Sequence, residues 1–149
     1  MNSDAIWNKA PVRRRKDRGY KLIHARSVVG RTQVKPSAPP LGLSAVGNPV
    51  VSSAIGALNR RDKKRWFELF SEKAEFSDDG IPRDLVEWCE EELFGSWLAY
   101  LISIDKVEDG GLSLYARYHS DKWGDFKTFW RFKLEDGRIS KLDVGATNY

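Results

Sequence analysis

The sequence predicts an α+β protein in which three N-terminal helices cover a curled antiparallel sheet of four strands, preceded by a basic, extended arm. Three features of the sequence lead to this prediction. Between about residues 49 and 95, apolar residues recur at the spacing of three and four that marks one face of a helix. From about residue 97 onward, apolar and polar residues alternate with the period of two typical of β-strands. Helices followed by a run of strands favour segregated layers, with the helices packed on one side of the sheet.

The first 48 residues show neither period, and we predict that they form an arm, extended or disordered, ahead of a domain at residues 49–149. Ten Lys and Arg against two Asp give the arm a net charge of +8. Fifteen Lys and Arg against nineteen Asp and Glu give the rest of the chain −4. The basic cluster of the arm comprises Arg13, Arg14, Arg15, Lys16 and Arg18. Because Arg-rich segments bind by neutralising acidic groups, docking on nucleic acid or an acidic protein surface is one interpretation of this arm. A solubilising extension is the alternative.

Three helices are predicted in the first half of the domain. The first begins near Pro49, and its apolar stripe comprises Val50, Val51, Ala54, Ile55 and Leu58. Asp62 is the predicted N-cap of a second helix at residues 63–70. Residues 75–80 are short and acidic and predict a brief strand or turn. Pro82 is predicted to open the third helix, with Asp84 in its first turn and Gly95 at its end.

Four strands are predicted in the second half. Residues 97–107 are apolar on both faces, which favours a central strand covered on both sides. Residues 112–119 pair back after a Gly-rich turn. Residues 126–134 alternate strictly, with one aromatic face comprising Phe126, Thr128, Trp130, Phe132 and Leu134. The turn dipeptide Asp136-Gly137 then predicts a hairpin with a last strand at residues 139–144.

This order of elements resembles the nuclear transport factor 2-like superfamily and, within it, the small SnoaL-like proteins. The resemblance covers about residues 49–147, and its sharpest segments are WGDFKTFWRF and EDGRISKLDVG. It implies a cone-shaped half-barrel whose mouth leads to an apolar pocket, and a homodimer formed through the sheet. The superfamily includes ketosteroid isomerases, polyketide cyclases and scytalone dehydratase, and also members that only bind or assemble, so the fold does not select a function.

The ketosteroid isomerase pattern is incomplete in this chain. The first helix contains no Tyr, and Phe129 and Trp130 stand where the resemblance implies an acid. A looser acid–base arrangement is predicted instead, with catalytic candidates Asp79, His119 and Asp143. A His titrates near neutral pH and burial raises the pKa of a carboxyl, so such groups in an apolar cone can move a proton. The alternatives are a solvated turn for Asp79, an exposed hairpin end for His119 and a rim charge for Asp143.

The candidate ligand-binding residues are aromatic: Trp66, Trp88, Tyr100, Tyr115 and Trp130. They predict a dry, aromatic pocket for a small hydrophobic ligand, and ordinary core packing is the alternative reading of each. No cofactor and no metal are expected, because the single Cys89 and the two distant His residues give no ligand spacing. No stretch is apolar enough to span a membrane, so a cytoplasmic location is expected, with organelle targeting as the alternative.

Two functional hypotheses therefore remain open. In the first, the cone binds a small apolar or aromatic ligand, with or without isomerase-, cyclase- or dehydratase-type turnover. In the second, the domain is a non-catalytic interaction subunit that docks through its basic arm. Dimerisation through the outward sheet face, where Phe129 lies between Lys127 and Arg131, is compatible with both. The feature that separates them is whether the tryptophans Trp66, Trp88 and Trp130 line an open cone or fill it.

Overall fold

The computed structural model describes residues 42–149. The basic cluster at residues 13–18 lies outside the described residues, and its docking on nucleic acid or an acidic surface remains a prediction. Within the described range, no helix is both long enough and apolar enough to cross a membrane.

The described residues form three α-helices, two single-turn 3₁₀ helices (Leu43–Ala45 and Asp109–Gly111) and one six-stranded sheet. The helices are α1 (Pro49–Arg60), α2 (Lys63–Glu68) and α3 (Leu85–Glu92). The strands are β1 (Phe70–Asp78), β2 (Ile81–Pro82), β3 (Ala99–Glu108), β4 (Ser113–Ser120), β5 (Gly124–Glu135) and β6 (Arg138–Ala146). Their order across the sheet is β2-β1-β6-β5-β4-β3. The predicted α+β class and the antiparallel meander, which is β3 to β6, are confirmed.

Side-chain caps fix where the helices begin. The Asn48 side chain accepts hydrogen bonds from the backbone N–H of Val50 and Val51, and Pro49 occupies the first turn of α1. Asp62 caps α2, as predicted, by accepting from the Arg65 N–H at 3.0 Å. The predicted start of the third helix at Pro82 is wrong. α3 begins at Leu85 because Asp84 is its N-cap and accepts from the Glu87 N–H at 2.8 Å.

Residues 70–82 contribute two strands that the sequence did not predict at this length. β1 is parallel to β6 and antiparallel to the short β2, in which Pro82 pairs with Ser77 at the edge of the sheet. The sequence predicted only a brief strand or turn at residues 75–80, and extended α2 to Phe70. α2 ends at Glu68, and Phe70 already belongs to β1. β1 therefore forms by pairing with a distant strand, without an alternating pattern of its own.

β3 lies at the edge of the sheet, so its predicted central position is wrong. Its apolar residues are buried at one end, at Ala99 and Leu101, whereas Asp105 and Lys106 are exposed. The Asn59 side chain on α1 holds the buried end, because it donates to the Leu101 carbonyl at 3.0 Å and accepts from the Leu101 N–H at 2.9 Å. Register shifts along β3 then turn the other end toward solvent.

The core lies between the helices and the inner face of the sheet. The predicted inward face of residues 126–134 is confirmed at Thr128, Trp130 and Phe132, which are buried. On the opposite wall, Cys89 of α3 is also buried, and burial raises the pKa of its thiol well above the usual range. That thiol is therefore an apolar packing group at physiological pH.

Candidate functional site

Tryptophan side chains fill the interior of the cone. Trp66 and Trp130 are 0% exposed and Trp88 is 2% exposed, and all three belong to one hydrophobic cluster. The Trp130 indole donates a hydrogen bond to the Thr128 hydroxyl at 2.7 Å, and that hydroxyl donates to the Ala116 carbonyl at 2.8 Å. Fully enclosed indoles of this kind act as core residues, and that of Trp130 also has its N–H hydrogen-bonded. These three ligand-binding candidates therefore pack the domain in this conformation.

Of the two adjacent carboxylates on β1 and its turn, Asp78 is the one that faces the interior. Asp78 is 0% exposed, whereas Asp79 lies exposed in the turn after β1. The backbone of Asp79 has a φ of 55°, and its N–H donates to the Val144 carbonyl at 2.7 Å. The structure thus places Asp79 in a solvated turn, and its predicted catalytic role gains no support. Asp78 is fully enclosed, so in this conformation its carboxylate has no contact with solvent.

His119 lies on the outer face of the sheet, clamped between two carboxylates. Its Nδ1 is 2.6 Å from Asp125 Oδ1 and its Nε2 is 2.7 Å from Asp121 Oδ1, and its ring stacks on Tyr100 with centroids 5.0 Å apart. Burial acts to lower the pKa of His119, but the hydrogen bonds and charges of Asp121 and Asp125 outweigh it and raise that pKa to about 9. At neutral pH His119 is therefore a cation that donates both N–H groups, and it joins the end of β4 to the turn and to β5.

This clamp gives a pH-dependent contribution to stability. The pKa of His119 rises from 6.5 to about 9 on folding, so the contribution is fully present below pH 6.5 and is lost as pH rises through about 9. Because both carboxylates are half exposed, solvent screens the interaction. We therefore expect the clamp to add about 1–2 kcal/mol to the free energy of unfolding, which is less than the whole pKa shift would correspond to. Urea unfolding of the wild type and His119→Gln at several pH values measures it. The difference in unfolding free energy should shrink between pH 6.5 and 9, and parallel pH curves would contradict the clamp.

The other two ligand-binding candidates also lie on the outer face. Tyr100 stacks on His119. Tyr115, on β4, contacts the ring of Tyr149 at 5.4 Å and lies 5.6 Å from the Lys106 ammonium. The candidates named from the sequence are thus divided between two faces of the sheet, and they do not form a single pocket.

A groove of about 630 Å³ opens on the outer face, between the β1–β2 hairpin and strands β5 and β6. Its charged lining residues are Glu75, Arg83, Arg131, Lys141 and Asp143. Pro82 and Phe129 supply apolar surface. Among the catalytic candidates, only Asp143 belongs to this groove.

The position of Phe129 in the groove depends on a glycine. Phe129 pairs with Gly145 of β6, and a Cβ at that glycine would lie 2.6 and 2.7 Å from two carbons of the Phe129 ring. The ring therefore lies directly against the β6 backbone, in the space that a side chain at residue 145 would take. The Arg131 guanidinium lies over the same ring, 4.3 Å from its centroid.

Asp143 is held by two neighbours. The Ser77 hydroxyl donates a short hydrogen bond to Asp143 Oδ1, and the Lys141 ammonium is 4.0 Å from Oδ2. Ser77 and Asp143 are aligned in the parallel pairing of β1 with β6. Asp143 is thus a fixed, partly compensated carboxylate on the groove wall.

Sequence reasoning missed Ser77, Arg83 and Lys141 as lining residues. The groove exists because β1 pairs with β6, which brings Ser77 beside a residue 66 positions later. No spacing signal within either segment encodes that contact. The sequence contained one related signal: the alternation of the predicted strand places Phe129 and Arg131 on its outer face.

Comparison with known proteins identifies the fold. No protein-family model matches the sequence, and no curated protein matches it either. Solved structures do match. A protein from Sphaerobacter thermophilus superposes with a TM-score of 0.54 at 16% identity, over 67% of this chain and 94% of that one. A nuclear transport factor 2-like protein of unknown function from Cytophaga hutchinsonii superposes with a TM-score of 0.53 at 16% identity, over 73% of this chain and 93% of that one.

The domain therefore has the nuclear transport factor 2-like fold, as the resemblance of its sequence implied. Another match is the Orange Carotenoid Protein of Anabaena binding canthaxanthin, with a TM-score of 0.53 at 16% identity. It aligns with 80% of this chain and 45% of that one. At such identities the matches define the shape of the domain, and its site must be argued from its own residues.

Proposed function

We propose that this domain is a binding module for a small molecule with an apolar or aromatic body, and that the ligand lies in the outer groove. The observation that carries the proposal is the groove itself. Its volume of about 630 Å³ falls within the range of roughly 300–1,000 Å³ typical of small-molecule sites. It combines an aromatic ring, Phe129, with a few fixed polar groups, and that combination is characteristic of such sites. The Orange Carotenoid Protein, 45% of which aligns with this chain, binds canthaxanthin, and this likeness supports a ligand-binding role.

Acid–base turnover by the predicted residues is not part of the proposal. In the strand register, Asp143 is aligned with Arg131, and Arg131 with Ser113, which lies six residues before His119 on β4. At about 3.3 Å per residue, His119 and Asp143 are therefore about 20 Å apart. A proton-transfer partner must lie within hydrogen-bonding reach of the reacting group, so these two side chains cannot act on one substrate atom.

The proposal is tested by mapping where aromatic fragments bind. A panel of monocyclic and bicyclic aromatic compounds is titrated into ¹⁵N-labelled full-length protein, and the shifted amide resonances are assigned. We expect shifts near residues 75–83, 129–131 and 141–145. Phe129→Ala should weaken binding by about tenfold, because it removes the aromatic surface of the groove.

Tyr100→Ala is the matched control for that variant, because Tyr100 is an outer-face aromatic on the far edge strand, outside the groove. It should leave fragment affinity unchanged. Shifts confined to the interior, around Trp88 and Tyr118, would instead restore the cone as the ligand site and overturn the proposal.

A further inference from the structure

We propose that the ligand of the outer groove is an aromatic carboxylate, a monoanion whose carboxylate is bound by Arg131. This inference rests on the proposed function and names the chemical class of the ligand.

Arg131 is a groove cation with capacity to bind an anion. The charge of Lys141 is already compensated within the groove, because its ammonium is 4.0 Å from Asp143 Oδ2. Within residues 42–149, the Arg131 guanidinium forms no ion pair, although it is exposed and lines the groove. An unpaired guanidinium beside an apolar surface is the group best suited to a planar carboxylate, which it binds through two parallel N–H donors.

The Arg131 side chain is also oriented before any ligand arrives. Its guanidinium lies 4.3 Å from the centroid of the Phe129 ring, and that ring is fixed against Gly145. A guanidinium held on an aromatic face loses less conformational entropy on binding than a free one. Phe129 and Pro82 line the same groove as Arg131 and supply apolar surface that an aromatic body can cover.

The two carboxylates of the groove limit how much negative charge the ligand can carry. Asp143 stands opposite Arg131 in the strand register, and Glu75 stands opposite Lys141. The lining holds three cations and two carboxylates, a net charge of +1 that a single ligand carboxylate neutralises, whereas a dianion such as a phosphate monoester would leave an excess of negative charge. The charge pattern therefore favours a monoanionic carboxylate over a phosphate ester.

The test uses three probes of similar shape and different charge: 1-naphthoate, the neutral 1-naphthamide and the dianionic 1-naphthyl phosphate. Each is titrated into the full-length chain by calorimetry, with groove binding verified by NMR. We expect 1-naphthoate to bind about tenfold more tightly than 1-naphthamide, and 1-naphthyl phosphate to bind more weakly than 1-naphthoate.

Substitutions at two arginines then test whether Arg131 causes the preference for 1-naphthoate. Arg131→Gln should remove the preference for 1-naphthoate while leaving the affinity for 1-naphthamide unchanged. Arg131→Lys should retain only part of it, because an ammonium lacks the planar fork. Arg138→Gln is the control with the same loss of charge. It changes an exposed arginine at the start of β6, where it pairs with Glu135, and should bind like the wild type.

The possible results distinguish a failure of the carboxylate inference from a failure of the proposed function. Equal groove binding of 1-naphthoate and 1-naphthamide would overturn the carboxylate inference and leave the proposed function standing. Tighter binding of 1-naphthyl phosphate would assign the groove to phosphate esters and overturn it as well. If no probe binds, both proposals fail. A dimer in sedimentation whose groove amides are protected from hydrogen exchange would then assign the groove to a second copy of the chain.

Discussion

Replacing Gly111 by alanine should lower the free energy of unfolding by about 3 kcal/mol or more. Gly111 is buried at the end of the turn between β3 and β4, with a φ of +95° that is strained for any side chain. An added Cβ would press into the Val46 carbonyl oxygen and lie 2.8 Å from the Asn48 Cβ and 2.9 Å from the Asn48 nitrogen. These are backbone or near-backbone atoms, and Asn48 is the N-cap of α1. Relief of the clash would therefore displace the start of that helix.

Gly110→Ala is the control for this prediction. The neighbouring Gly110 also has a positive φ, of 64°, but nothing lies within 4 Å of the position of its Cβ. Alanine there should cost only about 1 kcal/mol, the usual penalty of a left-handed conformation. Urea unfolding followed by circular dichroism measures both variants. Equal losses at the two positions would show that backbone strain alone matters and that the contact with residues 46–48 is not tight.

Trp130→Ala should destabilise the domain by about 3–5 kcal/mol, as expected for a large aromatic residue deleted from a packed core. Trp130 is 0% exposed, and its ring centroid is 6.1 Å from that of Tyr118, which is also fully buried. The substitution removes this packing and also leaves the Thr128 hydroxyl without the indole N–H it accepts. The magnitude is informative about function, because a residue lining an open ligand pocket contributes little to stability in the absence of ligand.

Trp130→Phe keeps the prediction measurable if the alanine variant fails to fold. Phenylalanine retains most of the apolar volume and should cost about 1–2 kcal/mol. Chemical denaturation gives both values. Two results would indicate an open cone and contradict the filled interior. The first is a Trp130→Phe protein as stable as the wild type. The second is added indole that stabilises the variant and the wild type equally.

The elements predicted correctly are those encoded by local patterns. The alternation from Phe126 to Leu134 and the Asp-Gly turn that follows it are signals within about twenty residues, and they form the predicted hairpin. The cap at Asp62 is equally local. The prediction at Pro82 was wrong because proline occurs both in the first turn of a helix and at the edge of a sheet. In the structure Pro82 pairs with Ser77 and lies at the sheet edge.

The candidate site was predicted less well than the fold. Asp143 was predicted as a catalytic carboxylate of the cone, with a rim charge as the alternative. It lies on the wall of the outer groove, and its partner Ser77 was not named from the sequence. His119 was a reasonable acid–base candidate from its residue type, but Asp121 and Asp125 hold both of its ring nitrogens. The adjacent Asp78 and Asp79 are indistinguishable in sequence, and only the turn geometry shows which of them faces inward.

The sequence by itself determined the fold class, because hydrophobic periodicity and turn residues act over short distances and leave few ways to bury the apolar faces. It also determined that the strand with Phe129 and Arg131 has one aromatic and one cationic face. Only the tertiary structure decided which side of the sheet is filled and which is open. Tryptophans from α2, α3 and β5 meet in the interior, and the parallel pairing of β1 with β6 builds the groove outside. Both depend on contacts between residues far apart in the chain, which local patterns do not encode.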